Sequence, residues 1–326
     1  MSLKRIAEMT GVSVSTVSRV LNNKNYNCAS ADLKNKIWAA AEEIHYVPNE
    51  NARNLQRGKQ KAPAHPARKL AVVLGRFDSL TKDPFFAELF RSVEQEVFAN
   101  GCILSDFFTA GEFRKREIPH ADGFIILGRS SESFLSGIQK ITRNIVAIDR
   151  NPTDFEIDEV ICDGQEAASL AMNYLIGKGH EKIGYIGDCS YEVRYVGYCD
   201  SLIRRRLPLD YSSIYPTDQT EEAGYQAMKQ ILEHGELQAV FCANDATALG
   251  AVRAFAEAKL KPRMDLISID NIQSAQEVSP LLTTVNIPKE DMGKMAVKIL
   301  LDRINHGHTE MMRVEFPPRL IRRESC

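Results

Sequence analysis

The sequence predicts a small all-α head joined to an α/β core of two doubly wound parallel-sheet subdomains. Three observations lead there. Residues 3–44 carry apolar side chains at three- and four-residue steps, the period of helices. From Lys69 onward, unbroken Val/Ile/Leu runs alternate with helical stretches, as in parallel strands covered on both faces. Between the two regions, KQKAPAHPAR at 59–68 has the composition of a flexible tether.

In the head, a first helix over residues 3–10 is followed by GVSVSTVSRVLN at 11–22. Val12, Val17, Val20 and Leu21 share one inward face, whereas Ser13, Ser15, Thr16, Ser18, Arg19 and Asn22 point outward. Ser, Thr and Asn suit phosphate oxygens, and Arg bonds in a fork to a guanine edge. This is the layout of a helix-turn-helix whose second helix enters the DNA major groove. An amphipathic surface helix with a solvated serine face has the same spacing. Ser30 reads as an N-cap with Asp32 in the first turn, and Leu33, Ile37, Ala41 and Ile44 make a third helix with Trp38 beside the stripe as packing. Pro48 ends that helix. Asn49–Arg57 is barely two and a half turns before Gly58, too short to be stable unless something packs on it.

Charge divides along the chain. Residues 1–61 hold 10 Lys+Arg against 5 Asp+Glu, the remainder 31 against 38, so a basic head sits on an acidic body. That asymmetry fits a polyanion-binding module joined to something else. The seven cysteines, at 28, 102, 162, 189, 199, 242 and 326, form no CxxC and no Cys/His pair at metal spacing. Reduced thiols in a cytoplasmic protein are expected. No apolar run approaches a membrane span, and no signal peptide is read.

Core strands are expected at 70–75, 102–107, 123–128, 145–149, 159–162, 182–187, 239–243 and 266–270. Helices are expected at about 85–99, 165–178, 194–205, 220–234, 246–258 and 289–306. In such folds ligands sit at the C-terminal strand ends. Asp149, Asn244, Asp245 and Asp270 follow strands there, and Arg194 starts a helix. Carboxylates, an amide and a guanidinium converging on one cavity suit the hydroxyls of a sugar, although each singly is as often a cap; Asp245 is read as the N-cap of its helix. There is no GxGxxG after a strand, no GxxxxGK[ST], GxSxG or HExxH, and His180 has no paired nucleophile, so the reading is not an enzyme.

Specific strings carry a resemblance. GVSVSTVSRVLN, YVPNENARNLQRGK, GKGHEKIGYIG at 177–187, RYVGY at 194–198, ANDATALGAVRA at 243–254 and SPLLTTVNIP at 279–288 together resemble the lactose/galactose repressor family over nearly the whole chain. The resemblance implies a helix-turn-helix domain at 1–47, a hinge helix and linker at 48–68, and a periplasmic-binding-protein-like (type I) core at 69–326. Its subdomains would be about 69–162 plus 287–310 and 163–286 plus 311–326, with crossings near 163, 286 and 311. Implied DNA contacts are Ser13, Val14, Ser15, Thr16, Ser18, Arg19 and Asn22, with Ala52 and Leu55 on the hinge helix, Leu55 as an apolar wedge between base steps. Implied effector contacts are Arg194, Asn244, Asp270 and Asp149, with Phe85 and Phe86 as candidates of which one is equally readable as core.

The expected protein is a homodimeric, operator-binding repressor controlled by a small molecule in the cleft, with no cofactor and no metal. ISIDNIQSAQ at 267–276 leans toward the evolved β-galactosidase repressor subset and a galactoside effector. A purine-responsive corepressed regulator, and a sugar-binding protein or sugar enzyme with a non-DNA-binding head, stay open as alternatives. Departures from the family are Arg5 in place of an acid, a longer loop at 23–29, a short stretch between Phe107 and Asp122 that would lose or reduce a helix, Ile269 before the pocket aspartate, and no heptads of a tetramerisation tail.

Overall fold

The structure, a computed structural model, describes residues 3–13, 16–17, 20, 30, 33–34, 36–37, 40, 67–75, 79–80, 83–113, 120–149, 157–190, 192–234, 237–258 and 264–326. The chain divides into two compact units, Met1–Pro66 and Ala67–Cys326. Expectations for the short helix at 49–57, and for Leu21, Asp32, Trp38, Ala41 and Ile44, lie outside the described residues.

In the first unit, α1 spans Leu3–Thr10. Gly11 then takes φ +68°, a left-handed conformation a side chain resists, which stops the helix. Residues 16, 17 and 20 are helical, as are 33, 34, 36, 37 and 40. Ile6, Ala7, Val17, Val20, Ile37 and Ala40 are buried together with Val12 and Leu33 against them, so the valine face points inward as its spacing predicts. Ser30 Oγ accepts from Leu33 N at 3.4 Å, consistent with a cap there.

The second unit holds two six-stranded sheets. Strands of the first are β1 Lys69–Leu74, β2 Ile103–Thr109, β3 Gly123–Leu127, β4 Ile145–Ile148, β5 Asp158–Ile161 and β11 Arg313–Glu315, ordered β11-β5-β4-β3-β1-β2 and parallel throughout. The second contains β6 Ile183–Gly187, β7 Ile214–Pro216, β8 Ala239–Cys242, β9 Asp265–Asp270, β10 Thr283–Asn286 and β12 Arg319–Ile321, ordered β12-β10-β9-β8-β6-β7. Only β12 runs antiparallel to its neighbour. The two orders match position for position, β4 corresponding to β9.

Helices cover both faces. On β1, Leu70, Val72 and Leu74 face the cluster that includes α2 (Pro84–Ala99) and α8 (Lys289–Ile304), while Ala71 and Val73 face α3 (Glu132–Gln139). Strict alternation therefore buries both sets, each large side chain contributing about 1.5–3 kcal/mol. In the second lobe, α4 (Gly164–Gly177) packs on α5 (Val193–Arg204), and α6 (Glu221–His234) on α7 (Asp245–Glu257). A Cβ at Gly250 would lie 1.8 Å from the Glu221 carbonyl oxygen, so only glycine allows α6 and α7 this close.

The chain crosses between lobes after β5, after β10 and after β11. The third crossing was expected near 311 but falls at 316–318, because Arg313–Glu315 first adds a strand beside β5. Residues 311–315 thus belong with the first lobe. Between Phe107 and Asp122, the described residues contain a single 3-10 turn, Ala110–Glu112, and the expectation of a lost or reduced helix falls partly on 114–119, outside the described residues. Among the described residues no helix is long and apolar enough to cross a membrane.

Candidate functional site

A cavity of about 350 Å³ opens where the C-terminal ends of both sets of strands meet. Asp149 leaves β4 and Asp270 ends β9, the matching strand of the other lobe, and both line the cavity. Their φ angles are +110° and +121°. Such backbone costs a non-glycine residue of order 1–3 kcal/mol and persists where the surroundings over-determine it, commonly at ligand sites.

The other lobe-lining groups come from helix starts. Asp83 caps α2, its Oδ1 accepting from Phe85 N at 3.0 Å and Phe86 N at 3.4 Å, which turns both rings toward the cavity. The rings meet edge to face at 5.1 Å. Phe86 is buried in the core, whereas Phe85 is half-buried beneath the Lys289 ammonium, 5.6 Å from its ring centre. Both Phe86 as core and Phe85 as cavity wall are therefore realised.

Arg194, on the first turn of α5, is held on every side. Its Nε and Nη2 donate in a fork to Glu192 Oε1 and Oε2, both at 2.9 Å; Nη2 also donates to Gln219 Oε1 at 3.2 Å, and Nη1 to the Ala243 carbonyl at 3.0 Å. Asp270 Oδ1 lies 3.9 Å from Nη1. Burial alone would raise the Glu192 pKa, but the Arg194 charge and its hydrogen bonds outweigh this and hold it at about 2. Burial would lower that of Arg194, and Glu192 drives it up instead. Burial pushes the Asp270 carboxyl well above the usual range against the opposing pull of Arg194.

Asn244 lines the cavity and caps α7, its Oδ1 accepting from Thr247 N at 2.9 Å and its Nδ2 donating to Gln219 O at 3.1 Å. The expectation that Asp245 is the cap is therefore wrong by one residue. Asp245 is fully buried instead, accepting from Ser268 Oγ, from Thr284 Oγ1 at 2.7 Å and from Ile272 N at 2.8 Å. It ties together the strand ends from which Asp270 projects.

All six effector residues anticipated from the sequence, Phe85, Phe86, Asp149, Arg194, Asn244 and Asp270, come together in this one cavity. Glu192, Gln219, Asp188 and Ser190 line it without having been anticipated. Lys289 was also missed: its Nζ donates to the carbonyls of Asp270 and, at 3.1 Å, Asn271, and pairs with Glu88 at 3.4 Å. An acid two residues before a helix-starting arginine was the available signal for Glu192; the burial of Lys289 left none. His180 is structural, with Nε2 2.7 Å from Asp265. Among the described residues no cluster of three or more His, Cys, Asp or Glu could hold a metal ion.

In the head, Ser13 accepts from Thr16 N at 3.1 Å and its carbonyl from Val17 N at 3.1 Å, so it starts the second helix as a cap. Thr16 is half-buried beside it. Val14, Ser15, Ser18, Arg19, Asn22, Ala52 and Leu55 lie outside the described residues.

A helical head with this valine core, joined to a two-lobed α/β unit whose strand ends enclose a polar cavity, defines a ligand-binding regulator. Residues 2–49 match the family described as bacterial regulatory proteins, lacI family, and residues 172–326 match the periplasmic binding protein-like domain. The HTH-type transcriptional repressor PurR of Photorhabdus laumondii subsp. laumondii is 31% identical over 99% of this chain and 96% of its own length. Among solved structures, a LacI family transcriptional regulator from Enterococcus faecium with bound ribose is 26% identical, covering 79% of this chain and 98% of that one, with a TM-score of 0.67. A complex of the transcriptional regulator CelR with cellobiose covers 100% of both chains at 24% identity and a TM-score of 0.69, a likeness of fold. The chain belongs to the LacI family: it is a DNA-binding transcriptional repressor with a ligand-binding domain, and not an enzyme.

Proposed function

We propose that the effector is a sugar, that it binds in the cavity between the two lobes, and that its binding sets the affinity of a homodimer for operator DNA. One observation carries the choice of ligand: Asp149 and Asp270 stand at matching strand ends of opposite lobes and line the same cavity. Each carboxylate accepts from two hydroxyls, so a polyol can engage both lobes at once. Phe85 offers an apolar wall for the ring. The ribose held by the Enterococcus faecium regulator supports the same reading. A purine base carries N–H donors that the same acceptors would take, as well as ring-nitrogen acceptors that need donors opposite them, and is the second reading, favoured by the likeness to PurR.

On the DNA side, the reading rests on sequence. Arg19, Val14 and Ser15 contact bases, while Ser13, Thr16, Ser18 and Asn22 position the head on phosphate. Ala52 and Leu55 lie on a hinge helix that forms when dimer and operator hold it. A change in lobe angle alters the separation of the two hinges, and coupling of about 1–3 kcal/mol follows, equal in both directions.

Fluorescence anisotropy with the DNA upstream of the gene, with and without mono- and disaccharides or purine bases, tests this. A sugar that shifts operator affinity by roughly 5–150-fold is expected. A shift by purines alone, or DNA binding indifferent to every sugar, would overturn the effector reading.

A further inference from the structure

We infer that the cavity selects uncharged ligands over anionic ones, and that Glu192 is the positioning residue responsible, because it cancels the charge of Arg194 before any ligand arrives. The inference rests on the cavity being the effector site. A buried guanidinium facing a cavity is the natural partner of a phosphate or carboxylate, which it grips in a fork. Here that fork is already closed on Glu192. The side chains are 15% and 8% exposed, so the pair is shielded from competing water.

Donor accounting makes the point sharper. Of the five N–H groups of Arg194, one each goes to Glu192 Oε1, Glu192 Oε2, Gln219 Oε1 and the Ala243 carbonyl. The fifth, on Nη1, is left toward Asp270. Glu192 is equally occupied: Oε1 accepts from Nε and from the Arg194 backbone N–H at 3.2 Å, and Oε2 from Nη2 and from Gln219 Nε2 at 3.2 Å. A helix cap requires only the Arg194 backbone contact. The remaining contacts hold the guanidinium in place, and no acceptor position of Glu192 is left for a ligand.

What then faces a ligand is acidic. Asp83, Asp149, Asp163 and Asp188 line the cavity beside the buried Asp270, and among the described residues the one further cation in its wall is the exposed Arg129. An entering anion meets carboxylates and finds no free guanidinium fork. Hydroxyl groups meet acceptors.

Calorimetry and thermal shift on the full chain with matched probes test the inference: ribose against ribose 5-phosphate, galactose against galactose 6-phosphate, adenine against AMP. The neutral member of at least one pair should bind, and at least about tenfold more tightly than its phosphorylated counterpart. Glu192→Gln should narrow that ratio about tenfold, and Glu192→Asp, which keeps the charge with looser geometry, should preserve it. A lost fold would not mimic this, since the readout is a ratio, and the wild-type ratio stands without either variant. A phosphorylated member that binds as well as its neutral form overturns charge selection while leaving a sugar effector in place. Adenine as the one neutral binder, favoured over AMP, upholds charge selection and removes the sugar. Binding by no neutral member, or a ratio unmoved in Glu192→Gln, also overturns the inference.

Discussion

Replacing Lys289 with Met tests how the two lobes are tied together beside the cavity. The ammonium sits on the first turn of α8, in the first lobe, and donates to the carbonyls of Asp270 and Asn271 in the second. It also pairs with Glu88 on α2, whose Oε1 accepts from Gln273 N of the second lobe at 2.8 Å. Lys289 is 7% exposed, so the aliphatic stem is buried and Met preserves most of its packing. What is lost are two charge-assisted bonds, each worth about 1.5–3 kcal/mol. Glu88, a quarter exposed, recovers part of its hydration when its partner goes. The net cost is about 3 kcal/mol, which for a unit of this size lowers Tm by roughly 6–12 °C. Scanning calorimetry with a urea titration gives the answer. An unchanged m-value with the midpoint shifted by this amount is expected. A Tm within about 2 °C of wild type would refute the assignment of Lys289 as a link between lobes.

Other substitutions probe the head and the first-lobe sheet. Arg19→Ala should weaken specific operator binding by roughly 1–3 kcal/mol and leave the salt slope nearly unchanged; an equal loss on random DNA contradicts base reading. Leu55→Ala should reduce operator bending, measured by energy transfer between labelled DNA ends, and unchanged bending would remove its role as a wedge. His308 lies with Nε2 3.0 Å from Asp158 and Nδ1 2.7 Å from Asp302; burial would lower its pKa, yet the two carboxylates raise it. Its stabilisation is therefore present below the ordinary histidine pKa and lost as pH rises through the raised one. The Tm gap between wild type and His308→Ala should be wider at about pH 5.5 than at about pH 9, and a gap that widens with pH would contradict the ion pairs.

Sequence reading succeeded where apolar period alone decides structure. Strands such as GFIIL and AVFC are buried at every position, and their unbroken apolar runs announce this. It missed β10, TTVN, whose polar composition hides that Thr283 and Thr284 are fully buried and bonded to Ser325, Arg323 and Asp245. It missed α3 because ESFLSGIQ is a short helix whose Ser and Gly resemble a loop, although Phe134, Leu135 and Ile138 point one way. Three-residue edge strands, β7, β11 and β12, carry too little pattern to read. At the cavity, the strand-end acids and Arg194 were legible from their places after apolar runs or at a helix start. Lys289 was not, since what makes it matter is burial against Asp270 and Asn271, distant in sequence, and Glu192 was signalled by nothing beyond its place two residues before Arg194.

The three crossings between lobes have a consequence for synthesis. The first lobe is not complete in sequence order: α8 and β11, which cover α2 and extend the sheet past β5, come after almost all of the second lobe. Until Lys289 and the residues after it emerge, Leu89, Val93 and Val97 of α2 lack the helix that buries them. Residues 164–288 must be translated in the meantime, which at about 5–20 residues per second takes roughly 6–25 s. Throughout that interval a nascent chain displays an apolar helix face and the unpaired edge of β5, the surfaces on which nascent chains aggregate or are met by chaperones.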